Sequence, residues 1–247
     1  MKTFRKLNAT AVGGVALFML TQTAPANLIV NGDFETTTAG IGQLGYNTQA
    51  TGWSTSGYNF LFGTGTADTL GATGQYGNVQ LWGPHNGSAN GMPASSPAGG
   101  NYVAADGAYQ VGAISQTVNG LTAGQTYALS FYWAAAQQYT FTGPNTEQWQ
   151  VSLGAQTQNT AVYYNSSHGF SGWMSQTFDF TASGSSEVLS FLAIGTPTGV
   201  PPFSLLDGVT MNAVPESPTL LVSAFILLPV CGNVLRRLWR RQESAQA

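Results

Sequence analysis

Apolar and polar side chains alternate along much of this 247-residue chain. In residues 126–134 the large apolar side chains recur at every second position, at Tyr127, Leu129, Phe131 and Trp133. Successive side chains of a β-strand point to opposite faces, so this spacing predicts a strand with one core face. The same face places Trp133 in the hydrophobic core.

Further short strands are predicted wherever alternation or an apolar run is bounded by turn residues. They are residues 28–30, 76–82, 101–106, 113–118, 149–153, 174–180, 188–194 and 204–211. Residues 188–194 are apolar on both faces, which indicates a central strand. Residues 83–100 are rich in Gly, Pro, Ser and Asn and predict a long loop. No helical period occurs before the C-terminal segment, so the pattern predicts an all-β sandwich.

The first 26 residues have the three parts of a secretory signal peptide. Lys2, Arg5 and Lys6 precede an apolar stretch at residues 9–20, and an Ala-Pro-Ala site ends at Ala26. We expect cleavage after Ala26, which leaves residues 27–212 as the exported domain. An uncleaved signal anchor is the alternative.

The C-terminal segment has a Pro-Glu-Ser-Pro stretch in residues 213–218, an apolar run in residues 219–235 and a basic tail in residues 236–247. The run holds 17 uncharged residues, the short end of what a membrane-spanning helix needs. The arginines that follow are typical of a cytoplasmic end. We therefore predict one transmembrane helix, with a buried core helix as the alternative.

This arrangement resembles the PEP-CTERM sorting tail of exported proteins in Gram-negative bacteria. The matching residues are Val214, Pro215, Glu216, Arg236, Arg237, Arg240 and Arg241. The order after Glu216 is Ser-Pro, where Pro-Ser is common in that tail. The resemblance implies a sorting enzyme of the exosortase type, transient anchoring in the inner membrane, and delivery to the cell surface or extracellular matrix. A plain C-terminal anchor is the alternative.

Charge is distributed unevenly along the chain. All seven Lys and Arg residues lie in the two terminal segments, and none occurs between Asn27 and Leu235. The exported domain carries eight acids: Asp33, Glu35, Asp68, Asp106, Glu147, Asp179, Glu187 and Asp207. Nucleic-acid binding depends on Lys and Arg and is therefore excluded for this domain. Cys231 is the only cysteine, so the chain forms no internal disulfide.

Three stretches of the exported domain resemble the galactose-binding-like jelly roll of many carbohydrate-binding modules. They are residues 28–35, 101–133 and 205–211. The resemblance implies a structural calcium ion held by Glu35 and Asp207, and oxygen ligands of this kind suit Ca²⁺. The alternative is that both acids are exposed or cap turns.

A sugar site needs an exposed aromatic plane beside amide groups, and four residues are candidates. Trp82 directly precedes the long loop and Asn86 lies in it, and Trp53 and Tyr58 lie in irregular sequence. We expect a non-catalytic domain that binds a neutral extracellular polysaccharide. A structural matrix or coat protein is the alternative. A glycoside-active enzyme is less favoured, because the sequence has neither an H-E-x-x-H nor a G-x-S-x-G motif.

Overall fold

A computed structural model describes residues 26–215, and that part of the chain contains fourteen β-strands. In chain order they are β1 (Gly42–Gln43), β2 (Ser54–Thr55), β3 (Asn59–Phe62), β4 (Ala72–Gly74), β5 (Gly77–Val79), β6 (Tyr102–Asp106), β7 (Ile114–Asn119), β8 (Thr126–Gln137), β9 (Asn145–Leu153), β10 (Gln156–Asn159), β11 (Tyr163–Asn165), β12 (Met174–Thr181), β13 (Ser186–Thr196) and β14 (Pro202–Ala213). The described chain is an all-β jelly-roll sandwich, as predicted.

The sandwich consists of two antiparallel sheets. The front sheet has the order β1-β3-β6-β14-β8-β12, and the back sheet has the order β10-β9-β13-β7-β2 with β11 paired to β9. In the front sheet β3 and β14 begin at the edge where β6 and β8 end, as the pairs Phe203–Asp106 and Pro202–Gln137 show. We call this edge the loop end, because four connecting segments meet there.

Alternating apolar residues from both sheets form the core between them. Phe191 of β13 packs edge-on against Phe131 of β8 at 5.1 Å between ring centroids and against Trp149 of β9 at 5.9 Å. The Trp149 indole N–H donates to the carbonyl of Leu205 in the opposite sheet at 3.0 Å. Trp133 is buried in this core, which confirms its prediction from the strand period.

A second apolar cluster covers the outer face of the front sheet. Phe60, Tyr102 and Phe203 project to that side and pack with Val79, Leu81 and other residues of the segment between β3 and β6. That segment includes the β4–β5 hairpin and the irregular residues 83–100. Both faces of β3 and β6 are consequently buried, which accounts for their nearly uninterrupted apolar sequences.

Most predicted strands are confirmed, and two parts of the interpretation are wrong. Residues 28–30 form no strand; Leu28 makes a single backbone hydrogen bond to Met211, and the Val30 N–H donates to the Gln116 side chain. Predicted strand 76–82 is regular only over β5. The residues 188–194 that indicated a central strand lie in β13, which pairs with both β7 and β9. Strand β3 was missed because a short run buried on both sides has no alternation.

No helix among residues 26–215 is both long and apolar enough to cross a bilayer. The predicted signal peptide up to Pro25 and the predicted transmembrane helix and basic tail lie outside the described residues.

Candidate functional site

Trp53 is a core residue rather than a surface platform. Its side chain is only 4% exposed, and its ring packs against Phe34 at 5.1 Å and Phe191 at 6.2 Å. Its indole N–H donates to the carbonyl of Asn31 at 2.9 Å. The prediction that Trp53 presents an exposed face is therefore wrong, because the irregular sequence around it folds back onto the core.

Trp82 is half-buried and already has an aromatic partner. His168 stacks on it with 3.8 Å between ring centroids, and Tyr139 meets it edge-on at 4.7 Å. The side chain of Asn86 is also engaged, since its oxygen accepts from the Gly83 N–H and its nitrogen donates to the Leu81 carbonyl. The prediction that Trp82 offers an open ring and Asn86 a free amide to a sugar is therefore wrong, because other side chains and backbone groups already occupy both.

Tyr58 is buried, but it belongs to a cavity that the sequence did not reveal. This cavity, of about 330 Å³, lies at the loop end of the front sheet. We call it the tyrosine cavity; the residues that matter for its chemistry are Tyr58, Tyr76, Tyr109, Asp106, Gln138 and Pro201. They come from the segments flanking β3, β6, β8 and β14 and from the β4–β5 turn. These residues are brought together because the ends of those strands lie at the same edge of the front sheet.

Three tyrosine rings form the aromatic part of this cavity. The ring centroid of Tyr58 lies 5.4 Å from that of Tyr109 and 6.0 Å from that of Tyr76, and Tyr76 and Tyr109 are 6.1 Å apart. Tyr76 is 61% exposed and Tyr109 is 41% exposed. Burial, together with the nearby Asp106 carboxyl, raises the pKa of Tyr58, so its phenol remains a hydrogen-bond donor at neutral pH.

Asp106 supplies the carboxyl group of the tyrosine cavity. One oxygen accepts from the backbone N–H groups of Ala108 at 2.8 Å and Tyr109 at 3.0 Å, which holds the turn that carries Tyr109. Among residues 26–215 no side chain or backbone group donates to the other oxygen. Burial raises the pKa of Asp106 to about 6, although the two backbone donors oppose that rise.

A second cavity, of about 440 Å³, adjoins the first and is lined mainly by polar groups. We call it the amide cavity; Gln43, Tyr46, Thr55, Gln75, Gln110 and Val111 contribute to its wall. Tyr46 and Val111 are exposed at this site. Both cavities fall within or near the size range of small-ligand sites.

A chain of hydrogen bonds separates the two cavities. Gln75 donates to the side-chain oxygen of Gln110 at 2.7 Å, and Gln110 donates to the Tyr76 hydroxyl at 2.9 Å. The backbone N–H of Gln75 is held by the side chain of Gln43 at 2.8 Å. The tyrosine cavity and the amide cavity therefore share one wall of glutamine and tyrosine, and together we call them the groove.

Glu35 and Asp207 lie at a different place, where the N-terminal segment meets β14. Asp207 is buried; one carboxyl oxygen accepts from the Ser96 hydroxyl and the other from the Gly208 N–H at 2.7 Å. Glu35 is exposed and accepts from the backbone N–H of Asn101. Burial, with a smaller contribution from the charges of Glu35 and Asp33, raises the pKa of Asp207 to about 7, although the Ser96 and Gly208 donors oppose the rise.

Asp207 and Glu35 are thus close enough to interact electrostatically, as the calcium prediction requires. Residues 26–215 contain no group of three or more His, Cys, Asp or Glu side chains arranged to hold a metal ion. Any cation at Asp207 and Glu35 would therefore need carbonyl, hydroxyl or water oxygens in addition.

One histidine–carboxylate pair among the described residues joins the β5–β6 loop, which carries His85, to the β3–β4 segment, which carries Asp68. His85 Nδ1 lies 2.9 Å from an oxygen of Asp68, and the same oxygen accepts the His85 backbone N–H at 2.9 Å. The His85 side chain is exposed, whereas Asp68 is buried. This arrangement fixes the start of the loop.

The structure describes only the beginning of the predicted sorting signal. Val214 extends the front sheet, since its N–H donates to the Thr126 carbonyl and its own carbonyl accepts from Gln125. Pro215 is the last described residue. Glu216 and the arginines Arg236, Arg237, Arg240 and Arg241 lie outside the described residues.

Sequence reasoning missed Tyr109, Gln75 and Gln110 as site residues. Tyr109 and Gln110 lie in a turn between β6 and β7, and Gln75 lies in the turn between β4 and β5. Their proximity depends on how residues 63–100 fold over the front sheet, which the alternation pattern does not predict. A tyrosine in a polar turn soon after a predicted strand, as Tyr109 is, is the one sequence signal that could have indicated this site.

Residues 27–210 match a family model described as "Protein of unknown function (DUF642)". A comparison with curated proteins gives no significant match. Among solved structures, the CBM22-1 xylan-binding domain of Xyn10C from Paenibacillus barcinonensis is similar, with 14% identity and a TM-score of 0.40, covering 80% of this chain and 100% of that one.

Two further structures are similar at the same level. TmCBM61 in complex with β-1,4-galactotriose has 14% identity and a TM-score of 0.38, covering 76% of this chain and 99% of that one. The K3 cleaved adhesin domain of Lys-gingipain from Porphyromonas gingivalis has 15% identity and a TM-score of 0.41, covering 76% and 99%. At these TM-scores, none of the three assigns a ligand or a reaction to this chain.

Proposed function

This chain belongs to the DUF642 family, and we propose from its own geometry that it binds a neutral extracellular polysaccharide in the groove. The observation that carries the proposal is the meeting of three tyrosine rings with the Gln75–Gln110 hydrogen-bond pair at one end of the sandwich. We propose further that the protein is non-catalytic.

Sugars present an apolar face of C–H groups surrounded by hydroxyl groups. Tyr76 and Tyr109 offer exposed ring surface to the apolar face, and the cost in side-chain entropy is small because a tyrosine has few rotatable bonds. Gln138 lines the same cavity and has both a donor and an acceptor, and Asp106 has an oxygen that can accept from a hydroxyl group. The tyrosine cavity thus provides stacking and hydrogen bonding together.

The charge of the domain favours an uncharged ligand. No Lys or Arg occurs between Asn27 and Leu235, while Asp106 lies inside the tyrosine cavity. A polyanionic chain would bring its carboxylates or sulfates toward this acid without any counter-charge. We therefore propose that the groove discriminates against acidic polysaccharides.

Affinity electrophoresis of the full-length protein tests this proposal. Gels containing a β-glucan, a xylan or a galactan are compared with a gel containing polygalacturonate and with a gel free of polysaccharide. We expect retardation by at least one neutral polysaccharide and none by polygalacturonate. Retardation by polygalacturonate alone would contradict the proposal, and so would the absence of retardation across a wider neutral panel.

A structural matrix or coat protein is the second candidate function. It is favoured by the outer face of the back sheet, where the exposed side chains of Val188 and Ile194 lie on the same side of β13 with the half-buried Leu192 between them. Such an uncharged face could pack against another copy. Concentration-dependent association of the protein, without polysaccharide binding, would support this function instead.

We also propose that Asp207 and Glu35 hold a structural calcium ion. The residues present fit in part: two carboxylates and the Ser96 hydroxyl converge, with the charge of Asp33 nearby. Calcium would neutralise acids that have no basic partner in the domain. Calcium should raise the melting temperature of metal-free protein by mass action, and Asp207→Asn or Glu35→Gln should remove a saturable part of that rise. If calcium raises the melting temperature of both variants as much as that of the parent, the site is excluded.

For the chain ends, we propose export followed by exosortase-type sorting to the cell surface or extracellular matrix. The sequence order of Pro215 and Glu216, an apolar run and four arginines supports this proposal. Processed protein should lack the mass of everything after the Pro215 region, and replacing the four arginines should trap a precursor. Intact protein retained in the membrane would favour a plain anchor.

A further inference from the structure

A group of buried side-chain oxygens without partners lies in β9, away from the groove and from Asp207. Both carboxyl oxygens of Glu147 and the side-chain oxygen of Asn145 are buried, and within residues 26–215 none of them has a hydrogen-bond partner. The Glu147 side chain is 0% exposed. Buried polar groups are normally satisfied, so three such oxygens on neighbouring residues require an explanation.

The strand register brings these oxygens to one spot. Asn145 and Glu147 are two positions apart and project to the same inner face of β9, as the burial pattern of that strand shows. On the adjacent strand β11, Asn165 lies directly opposite Asn145, and Tyr163 lies opposite Glu147. Cross-strand side chains of this kind have Cβ atoms about 5 Å apart. Asn145, Glu147 and Asn165 therefore form one buried polar cluster.

The side-chain nitrogens of the cluster are directed elsewhere. The Asn165 amide nitrogen donates to the Gly169 carbonyl at 3.3 Å, and the Asn145 amide nitrogen faces the carbonyls of Val200 and Pro201 at 3.5 Å. The Asn165 amide is also near Glu147 and lowers its pKa, yet burial outweighs this and raises the pKa of Glu147 to about 9. The Asn165 amide nitrogen nevertheless makes its hydrogen bond to Gly169, and among the described residues no donor reaches either Glu147 oxygen.

No lysine or arginine can neutralise Glu147, because none occurs between Asn27 and Leu235. The histidine–carboxylate pair found among the described residues joins His85 to Asp68 and does not involve Glu147. A buried oxygen without a partner has lost its hydrogen bonds to water and gained none in return, so each one destabilises the fold. We propose that Glu147 and Asn145 are ligands of a hard cation bound inside the sandwich.

The chemistry of the donors defines the class of ion. Carboxylate and amide oxygens suit Ca²⁺ and other hard cations, whereas soft metals prefer sulfur. Mg²⁺ fits less well, because it keeps several water molecules and demands near-octahedral geometry. With a single carboxylate, a monovalent ion such as Na⁺ would leave the site neutral, and Ca²⁺ would leave one positive charge. Na⁺ and Ca²⁺ both prefer oxygen ligands of this kind, and the competition experiment below distinguishes them.

An adjacent cavity provides a route for the ion. Asn145 and Asn165 line a cavity of about 390 Å³ together with Pro144, Tyr164 and Pro197. Tyr164 is exposed at this cavity. An ion that enters this cavity reaches the two asparagines before it reaches Glu147.

Terbium luminescence tests the proposal in the full-length protein carrying Asp207→Asn, so that the proposed calcium site at Asp207 cannot contribute. Tb³⁺ is a hard cation that accepts excitation energy from tryptophan, and Trp149 lies on the same face of β9 two residues after Glu147. We expect saturable, tryptophan-sensitised emission from metal-free protein. Competition with Ca²⁺ and with Na⁺ then identifies which ion the site prefers.

Two variants test whether Glu147 is a ligand and whether Trp149 sensitises the emission. Glu147→Gln keeps the shape of the side chain and should weaken Tb³⁺ binding by at least about tenfold, since even outer-shell partners of a metal contribute that much. Trp149→Phe should reduce the sensitised emission and leave the affinity unchanged. Binding by Glu147→Gln that equals the parent, or no saturable emission from the parent, would overturn the proposal.

A third variant keeps the test decisive if Glu147→Gln does not fold. Asn145→Asp adds a second carboxylate to the site and should tighten Tb³⁺ binding by about tenfold or more. An unchanged or weaker affinity in Asn145→Asp would contradict the proposal. The result is independent of polysaccharide binding and of calcium at Asp207.

Discussion

Replacing Asp106 with Asn should make the protein more stable at neutral pH, although it removes a charge from a hydrogen-bonded carboxylate. Asp106 is 1% exposed, and burial raises its pKa from an ordinary 3.8 to about 6. The folded state therefore holds this proton more tightly than the unfolded state does. The stability that Asp106 contributes is complete below about pH 3.8 and is lost as the pH rises through about 6.

The size of this effect follows from the two pKa values. A shift of one pH unit corresponds to about 1.4 kcal/mol, so a rise of about two units costs about 3 kcal/mol of unfolding free energy above pH 7. Asn has the same shape and still offers an oxygen to the backbone N–H groups of Ala108 and Tyr109. The advantage of Asp106→Asn over the parent should therefore grow by about 3 kcal/mol between pH 3.5 and pH 7.5.

Urea unfolding followed by tryptophan fluorescence at five pH values measures this difference. Asp179→Asn is the matched control, because the same substitution is made at an exposed position of β12. The difference in unfolding free energy between Asp179→Asn and the parent should be the same at all five pH values. A difference between Asp106→Asn and the parent that stays constant with pH, or that shrinks as the pH rises, would refute the reasoning.

Three other variants test the fold and the location of the site. Trp133→Ala should lower the unfolding free energy by about 3–5 kcal/mol in urea, because it empties a fully packed part of the core; a loss below about 1 kcal/mol would contradict that packing. Gly208→Ala should cost about 1–3 kcal/mol, since Gly208 has φ 60° and a Cβ would lie 2.9 Å from the Tyr132 ring; unchanged stability would contradict this geometry. Trp82→Ala should leave polysaccharide retardation unchanged, because His168 already covers that ring; lost retardation by a folded variant would return the site to Trp82.

The sequence was informative wherever one face of a strand is buried and the other is not. Strands β8 and β12 alternate clearly, and their residues were predicted within a few positions. Strand β3 has all four residues buried, so it carries no alternation that could be recognised. Its outer face is covered by residues 63–100, whose Gly-rich sequence gives no sign that they form a layer on the front sheet.

The site was less predictable because its residues meet only through long-range packing. Gln75 and Gln110 are 35 positions apart and lie in separate turns, yet their side chains share a hydrogen bond. Trp53 is the opposite case, because a large aromatic residue in irregular sequence is buried in the core. The charge of Glu35 raises the pKa of Asp207, and calcium binding by the two residues stays a prediction.

Isothermal titration of the full-length protein with fragments of the retarding polysaccharide tests the groove most directly. Tyr109→Ala removes a half-exposed ring of the tyrosine cavity. The control Tyr164→Ala removes an 81% exposed ring on β11 that lines neither cavity of the groove. We predict that Tyr109→Ala weakens binding by about tenfold or more, as loss of one stacking or hot-spot contact does, while Tyr164→Ala binds like the parent. Equal affinity of Tyr109→Ala and the parent would contradict the claim that this groove binds polysaccharide.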